Sequence, residues 1–279
     1  MQTNRAGTTG GSIPHAELLK SLARRISDGA MLHLLKQWLC MAVEEQDERG
    51  RKHRTTRNRN EGKGTPQGAP ISPLLSNLYM RRFVLGWQSL GHQQRHKAFV
   101  VNYADDLVIC CQGSAEQALS AMREMMSRLK LTVNETKTRV CAVPQETFDF
   151  LGYTFGRLWS PRTGRPYQGV CPSKKRIQRI CEKVTEATDR RSTSRSVEEV
   201  VADLNPMVEG WANYFSLGSI SKACQIVDAH VGSRLRMWLN AKHRVPCAGN
   251  KRYVSPAQAR QMGLTQLRGR KGSLPWAKA

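Results

Sequence analysis

The strongest structural signal in this chain is Phe99-Val100-Val101-Asn102-Tyr103-Ala104-Asp105-Asp106-Leu107-Val108-Ile109-Cys110. Two short apolar runs enclose a polar centre, a pattern that predicts two β-strands joined by a tight hairpin turn. Asp105 and Asp106 then lie at the tip of the hairpin. Because Asp favours turns, the dipeptide taken alone is more typical of an ordinary structural turn than of a catalytic site.

Apolar residues at helical spacing surround this hairpin in the sequence. They predict a helix that begins near Ser12-Ile13-Pro14, a second over 31–43, a third that begins at Ser72-Pro73 and a fourth over 114–129. Short strands are predicted over 131–133 and 139–141. After Tyr153 the pattern becomes mostly helical, with two long helices over 197–215 and 221–242, and we assign no structure to 249–279.

The composition indicates a folded protein with a polyanionic partner. The 279 residues include 44 Lys and Arg against 22 Asp and Glu, a formal net charge of +22. This excess argues against a free small-molecule enzyme. No apolar run approaches the roughly 18 residues of a membrane span, and the start lacks a signal-peptide core. We therefore expect a cytoplasmic protein that does not bind membranes.

The eight cysteines contain no C-x-x-C pair, and no histidine lies at zinc-finger spacing from a second ligand. Buried, reduced thiols are therefore expected, without disulfides or a metal site at the cysteines. Cys110 and Cys111 are neighbours in a predicted strand, so their side chains would face opposite sides.

Charge divides the chain into three blocks. Residues 1–100 carry a net charge of +9, residues 101–156 a net charge of −2, and residues 157–279 a net charge of +15. A polyanion held on both sides of an acidic centre would produce this profile, and so would solvated surface charge. The segment 44–64 is a basic loop or ribbon suited to phosphates, with a solvated hairpin as the alternative interpretation.

The charge profile changes the interpretation of the Asp pair. Hard cations such as Mg²⁺ bind carboxylate oxygens and then substrate phosphates. Two such ions roughly 3.5–4 Å apart stabilise the attacking and leaving oxygens of a phosphoryl transfer. In so basic a chain, Asp105 and Asp106 therefore point to nucleotidyl transfer on a nucleic acid.

Several ordered motifs resemble a reverse transcriptase of the group II intron type. They are GTPQGAPISPLLSNLY at 64–79, YADD at 103–106, LTVNETKT at 131–138, FDFLGY at 148–153 and GWANYF at 210–215. The last is similar to the thumb, or maturase, region that binds intron RNA. The resemblance covers about residues 12–245 and implies an α+β fold: a partial palm domain, an antiparallel sheet with packed helices, followed by a helical thumb. We expect a disordered start over 1–11, the palm over 12–156 and the thumb over 157–279.

The resemblance also implies roles for individual residues. Asp105 would be a principal ligand and Asp106 a supporting ligand of a two-ion Mg²⁺ site, and Lys137 would lie near the leaving phosphates. The nucleotide-binding residues would be Pro66, Gln67, Gly68, Tyr103 and Ala104, the primer grip Phe150, Leu151, Gly152 and Tyr153, and the RNA-binding residues Arg51, Lys52, Arg54, Lys174, Lys175 and Arg176. Trp211 and Tyr214 are expected in a helix core rather than as base-stacking platforms.

One departure from the family pattern concerns a further catalytic Asp, which the family places on a strand just before the first helix. In an ungapped register that position falls on Arg5. We therefore expect an incomplete metal site. Because the chain begins after the family's earlier segments, we also expect the fingers to be absent. The strand beside the hairpin would be missing too, which leaves an open palm edge that an N-terminal fragment or a second copy would complement. DNA synthesis by the chain alone would then fail.

Two functions remain open from the sequence. One is an RNA-directed DNA polymerase and maturase of a group II intron, with intron RNA, an RNA template and a DNA primer as partners. The other is a non-catalytic, RNA-binding maturase that assists intron folding and splicing. Asp105 and Asp106 favour the first function, and the missing Asp favours the second. The order of the motifs excludes a generic basic protein without polymerase ancestry.

Overall fold

The computed structural model of the chain describes residues 2–7, 10–46, 51–66, 69–104, 106–160, 163–244, 261–270 and 272. These residues form two compact units that divide between Val143 and Pro144. The division falls earlier than the expected boundary after residue 156. The boundary lies earlier because the strands that follow residue 147 pair with one another and not with the first sheet.

The first unit contains a four-stranded antiparallel sheet and its helices. The strands are β1 (Gln2–Gly7), β4 (Ala98–Tyr103), β5 (Asp106–Cys111) and β6 (Arg139–Ala142), with β2 (Val43–Gln46) and β3 (Lys52–Thr55) in a separate ribbon. The helices are α1 (His15–Ala23), α2 (Gly29–Cys40), α3 (Arg57–Glu61), α4 (Ser72–Ser89), α5 (His92–Arg95) and α6 (Ala115–Arg128). The sheet order is β4-β5-β1-β6, so β1 is a central strand.

The start of the chain differs from the expectation of a disordered segment. Residues of β1 pair with β5 from Gln2 opposite Cys111 to Gly7 opposite Asp106, and also with β6. β1 therefore fills the edge of β5 that the sequence suggested would be open. Local composition did not reveal this strand, because a central strand gains its stability from two paired neighbours.

The helices of the first unit pack on one face of the sheet and form its core. Phe83 and Trp87 of α4 and Met122 of α6 are fully buried against Leu107 and other residues of β5. The Trp87 indole donates a hydrogen bond to the Ala98 carbonyl at 3.0 Å. The methionines of α6 are thus core residues, as their helical spacing predicted.

The second unit combines a small sheet with a helical core. Strands β7 (Phe148–Phe150), β8 (Tyr153–Trp159) and β9 (Pro166–Pro172) form an antiparallel meander, followed by α7 (Lys174–Ala187), α8 (Val197–Tyr214) and α9 (Ser221–Lys242). The bounds predicted for α8 and α9 agree with these helices. The prediction of mostly helical structure after Tyr153 is wrong for β8 and β9, because Gly and Pro residues obscure their alternation.

Part of the tail also packs on this unit. Asp228 of α9 accepts hydrogen bonds from the backbone amides of Leu267 and Arg268, at 2.9 and 2.8 Å. Leu264 and Leu267 are buried among the helices. Hydrogen bonds to Asp228 therefore hold the described part of 249–279 against α9, and no local sequence pattern predicted them.

An aromatic cluster links the β7–β8 turn to the end of α8. The Tyr153 hydroxyl donates to the Tyr214 carbonyl at 2.6 Å, and the Tyr214 hydroxyl donates to the Leu151 carbonyl at 3.2 Å. Phe215 packs against Tyr153 with ring centroids 5.1 Å apart. Gly152 has φ +85°, and a Cβ there would lie 3.0 Å from Arg176 Nε and 3.2 Å from Phe215 Cζ. Only glycine suits both this conformation and this contact.

The cysteines of the described ranges are thiols rather than disulfides, and burial raises the pKa of the Cys110, Cys171, Cys181 and Cys224 thiols. Cys247 lies outside the described residues. Over the described ranges, the helices are too short or too polar to cross a bilayer.

The core of the first unit can be tested on one helix. We expect Phe83→Ala to lower the free energy of unfolding by about 3–5 kcal/mol, because it empties a fully buried site. Leu74→Ala, at a position 63% exposed on the same helix, should change it by no more than about 0.5 kcal/mol. Urea unfolding followed by circular dichroism measures both values, and equal losses would contradict this packing.

Two glycines of the second unit should respond with opposite signs. Gly152→Ala should destabilise the unit by about 1–2 kcal/mol, because the left-handed backbone conformation is energetically unfavourable for alanine. Gly210→Ala, on α8 with nothing near its Cβ position, should stabilise it by roughly 0.5–1 kcal/mol. Calorimetric melting of both variants checks the signs, and a stabilising Gly152→Ala would show that the turn is not held as described.

Candidate active site and RNA-binding surfaces

The β4–β5 hairpin is tight, as predicted. Tyr103 pairs with Asp106, so two residues connect the strands, and of these the structure describes Ala104. Ala104 has φ +49°, the sign that two-residue hairpin turns of type I′ require. Asp106 is half-buried at the first position of β5, whereas Asp105 lies outside the described residues.

The β4 strand of the hairpin is exposed on the side opposite the helices. Cross-strand partners in an antiparallel pair share a face, so Asp106 lies on the same side as Tyr103. Phe99, Val101 and Tyr103 alternate along β4 on this side and are 58%, 45% and 63% exposed. The face therefore offers an apolar surface that leads to a carboxylate.

β1 lies beside this hairpin without an acidic residue. Its sequence is QTNRAG, with Gly7 opposite Asp106 and Arg5 opposite both Val108 and Arg139. The register thus places Arg5 on the strand where the resemblance would put a further catalytic Asp. A neighbouring strand is present after all, but the carboxylate is not.

The donor set for a divalent cation is accordingly small. Two adjacent carboxylates suit Mg²⁺, which prefers oxygen ligands. Within the described ranges, however, no three His, Cys, Asp or Glu side chains form a cluster that could hold a metal ion. Of the two carboxylates at the hairpin tip, the structure describes Asp106, so the described part of the hairpin supplies one oxygen-donor side chain.

The loop that precedes α4 is tied at both ends. His15 Nε2 hydrogen-bonds the Gly64 carbonyl at 2.7 Å, and Ser72 Oγ donates to the Pro66 carbonyl at 2.6 Å. Pro66 is half-buried, whereas Gln67 and Gly68 lie outside the described residues. His15 and Ser72 were not identified as positioning residues from the sequence, although each lies next to a proline at a helix start.

Lys137 lies in an exposed turn after α6. Its amide donates to the Asn134 carbonyl at 3.1 Å and to Asn134 Oδ1 at 3.3 Å. Arg123 holds the same turn through two hydrogen bonds to Glu135, at 3.0 and 2.7 Å, and these lower the pKa of Glu135. The turn is therefore fixed to α6, while the Lys137 side chain is open to solvent.

The four residues expected to form the primer grip belong to the second unit. Phe150 and Tyr153 are buried, and Leu151 and Gly152 form the turn between β7 and β8. The aromatic cluster described above contains this turn and the end of α8. Two motifs that lie about 60 residues apart in the sequence thus form one structural element.

The predicted RNA-binding cations are exposed and lie in different units. Arg51, Lys52 and Arg54 lie on or beside β3 in the first unit, where Lys52 pairs with Glu44 at 2.8 Å. Lys174, Lys175 and Arg176 form the first turn of α7 in the second unit. Exposed cations in the first turn of a helix, close to its backbone amides, suit phosphate contacts.

The two aromatic residues of the GWANYF motif differ. Trp211 is half-buried between the helical core and the aromatic cluster, and its buried indole N–H has no hydrogen-bond partner. Tyr214 is 58% exposed. A core position was therefore a correct prediction for Trp211 and a wrong one for Tyr214, whose ring lies on the surface while its hydroxyl binds Leu151.

Two family models match the chain. Residues 11–155 match "Reverse transcriptase (RNA-dependent DNA polymerase)", and residues 177–253 match "Group II intron, maturase-specific domain". The first match covers more than half of the chain. Its end, at residue 155, includes β7 and the start of β8, which pack in the second unit.

Two curated proteins are similar to the chain at low sequence identity. Protein YkfC of Escherichia coli strain K12 is 29% identical over 174 residues, which cover 51% of this chain and 43% of that protein. An uncharacterized 91 kDa protein in the cob intron of Schizosaccharomyces pombe is 21% identical over 275 residues, covering 74% of this chain and 33% of that protein. The chain thus spans less than half the length of either relative.

Solved structures include telomerase from Candida albicans with a fragment of telomeric RNA, at 10% identity and a TM-score of 0.45, covering 95% of this chain and 50% of that one. Apo telomerase from Candida tropicalis has 14% identity and a TM-score of 0.40, covering 60% and 35%. With the hairpin, the palm-type sheet and both family matches in place, the chain belongs to the reverse transcriptases (RNA-dependent DNA polymerases) and carries the maturase-specific domain of group II introns.

Proposed function

We propose that this chain is a group II intron reverse transcriptase and maturase that binds intron RNA through its basic second unit, and that the β4–β5 hairpin is a reverse-transcriptase active site with too few acidic ligands to support DNA synthesis by the chain alone. The observation that carries the proposal is the tight register of that hairpin, with Asp106 at the start of β5 on the same face as the exposed side chains of β4. In a chain of charge +22, this face suits a nucleic-acid strand.

The roles of the site residues follow from their positions and chemistry. Asp105 and Asp106 would hold Mg²⁺, which when bound supplies positive charge to substrate phosphates. Pro66, Gln67, Gly68, Tyr103 and Ala104 would bind the incoming nucleotide, and Tyr103 would also lie beside the end of a DNA primer. Lys137, exposed on its fixed turn, would offset charge on the leaving phosphates.

A second candidate function is a maturase that binds intron RNA without DNA synthesis. The observation that favours it is the sequence of β1, the strand paired with β5, which contains Arg5 and no acidic residue. A strand without a carboxylate supplies no further ligand for Mg²⁺. Because β1 already fills the edge of β5, complementation by strand addition from a second copy or an N-terminal fragment loses its structural basis.

The metal site can be tested by reversing this charge. We expect Arg5→Asp to tighten Mn²⁺ binding, measured by electron paramagnetic resonance, by roughly tenfold or more, because it removes a positive charge from the strand paired with β5 and gives that strand a carboxylate. Arg95→Asp, on the exposed α5, is the matched control and should leave binding unchanged. Asp105→Asn should abolish the gain.

Primer extension on an RNA template separates the two functions. We expect no Mg²⁺-dependent synthesis by the wild-type chain above that of Asp105→Asn, since two carboxylates hold the ions poorly. Robust synthesis by the wild type that depends on Asp105 would contradict this expectation and exclude a non-catalytic maturase. Equal stimulation of intron splicing by wild type and Asp105→Asn would favour the maturase.

RNA binding should depend on the first turn of α7. We expect Lys174→Gln/Lys175→Gln to weaken binding of a transcribed group II intron RNA and to reduce the slope of log affinity against log salt by about 1–2, because two phosphate contacts are lost. Lys36→Gln/Arg95→Gln, two exposed cations of the first unit, removes the same charge and should preserve the slope. An unchanged slope in the α7 variant would place the RNA elsewhere.

A further inference from the structure

A groove of about 410 Å³ lies between α1 and α4 in the first unit. Four arginines line it, two where α1 ends and two in the middle of α4: Arg24, Arg25, Arg81 and Arg82. Ser21, Leu78 and Leu85 complete the lining. The sequence-based assignments gave this groove no role, and it lies outside the β2–β3 ribbon and the β4–β5 hairpin.

The positive charge of the groove is only partly balanced by nearby acids. Glu17 of α1 lies beside it and is shared by Lys20 at 3.8 Å, Arg82 at 3.8 Å and Lys130 at 3.6 Å. The single negative charge of Glu17 is therefore shared among three cations. Arg24 and Arg81 make no ion pair with any residue that the structure describes.

Two of the four arginines have fixed positions. Arg25 Nη1 donates to the Ser21 carbonyl at 2.8 Å, which caps the end of α1. The Arg82 guanidinium stacks over the Tyr79 ring at 5.2 Å from its centroid. Arg24 and Arg81, one from each helix, are the groups left to bind a ligand.

Four guanidinium groups around one groove repel one another unless an anion lies between them. Guanidinium presents a planar fork of donors that matches phosphate oxygens in pairs. The volume of the groove lies within the range of about 300–1,000 Å³ that binding clefts usually have. The geometry therefore suits a phosphate with part of its sugar, with Leu78 and Leu85 as an apolar wall.

We propose that this groove holds phosphate groups of the intron RNA backbone, as a contact of the first unit that is separate from the first turn of α7. The inference rests on the proposed binding of intron RNA. Since a phosphodiester carries no base identity, the contact would orient the RNA on the protein rather than read its sequence. An acidic peptide is the alternative ligand, and the carboxylates of such a peptide would compete with RNA for the same arginines.

The test uses the full chain and a transcribed group II intron RNA. We expect Arg24→Gln/Arg81→Gln to reduce the slope of log affinity against log salt by about 1–2, and the affinity by about tenfold, because two phosphate contacts are removed. Lys36→Gln/Arg95→Gln is the matched control, with the same loss of charge at exposed sites of the same unit, and should bind like the wild type. Circular dichroism melting checks that both variants fold.

A conservative pair separates charge from packing. Arg24→Lys/Arg81→Lys should keep the wild-type salt slope, because the slope counts charges, and should lose several-fold in affinity because the fork is lost. If the lysine pair loses as much slope as the glutamine pair, the arginines act structurally and the proposal is wrong.

The remaining outcomes separate the two proposals. A wild-type chain that binds no intron RNA would overturn both this inference and the proposed function. A wild type that binds, with the Arg24/Arg81 glutamine pair equal to its control, would overturn the groove alone. Labelled oligoglutamate that binds the wild type but not the glutamine pair, while RNA affinity is unchanged, would assign the groove to an acidic peptide and overturn the RNA contact.

Discussion

The insertion of β1 between β5 and β6 is the contact on which the first unit depends. β1 gives its backbone hydrogen bonds to neighbours on both sides, so the β4–β5 hairpin and β6 become one sheet. That sheet provides the face on which α4 and α6 build their core, and it leaves the opposite face of β4 open. The hairpin tip therefore connects two strands of this sheet, the edge strand β4 and the central strand β5.

The same strand bears on the proposed metal site. Backbone pairing is nearly indifferent to which side chains a strand carries. β1 completes the sheet with the sequence QTNRAG, which has no acidic residue. The fold of the sheet therefore does not depend on a carboxylate in β1, because backbone hydrogen bonds join the strands.

Positive charge is distributed over both units rather than confined to the maturase-specific domain. The first turn of α7 offers exposed cations in the second unit, and the groove between α1 and α4 gathers arginines in the first. Other contacts hold each group of cations in place. Ser173, just before α7, is hydrogen-bonded to the backbone, and Tyr79 and Ser21 contact two of the arginines beside the groove. RNA affinity of this kind arises from many phosphate contacts, so it depends on salt more than on sequence.

The amino-acid sequence alone determined the family, the hairpin with its Asp pair, the methionine core of α6 and the long helices α8 and α9, because these follow from motif order and from local periodicity. Only the tertiary structure decided that residues 2–7 form a central strand, that the strands β8 and β9 precede the helices expected after Tyr153, and that the β7–β8 turn packs on the end of α8. It also brought Arg24 and Arg81 into one groove. These features join residues far apart in the chain, and their stability comes from pairing and packing partners that local sequence does not contain.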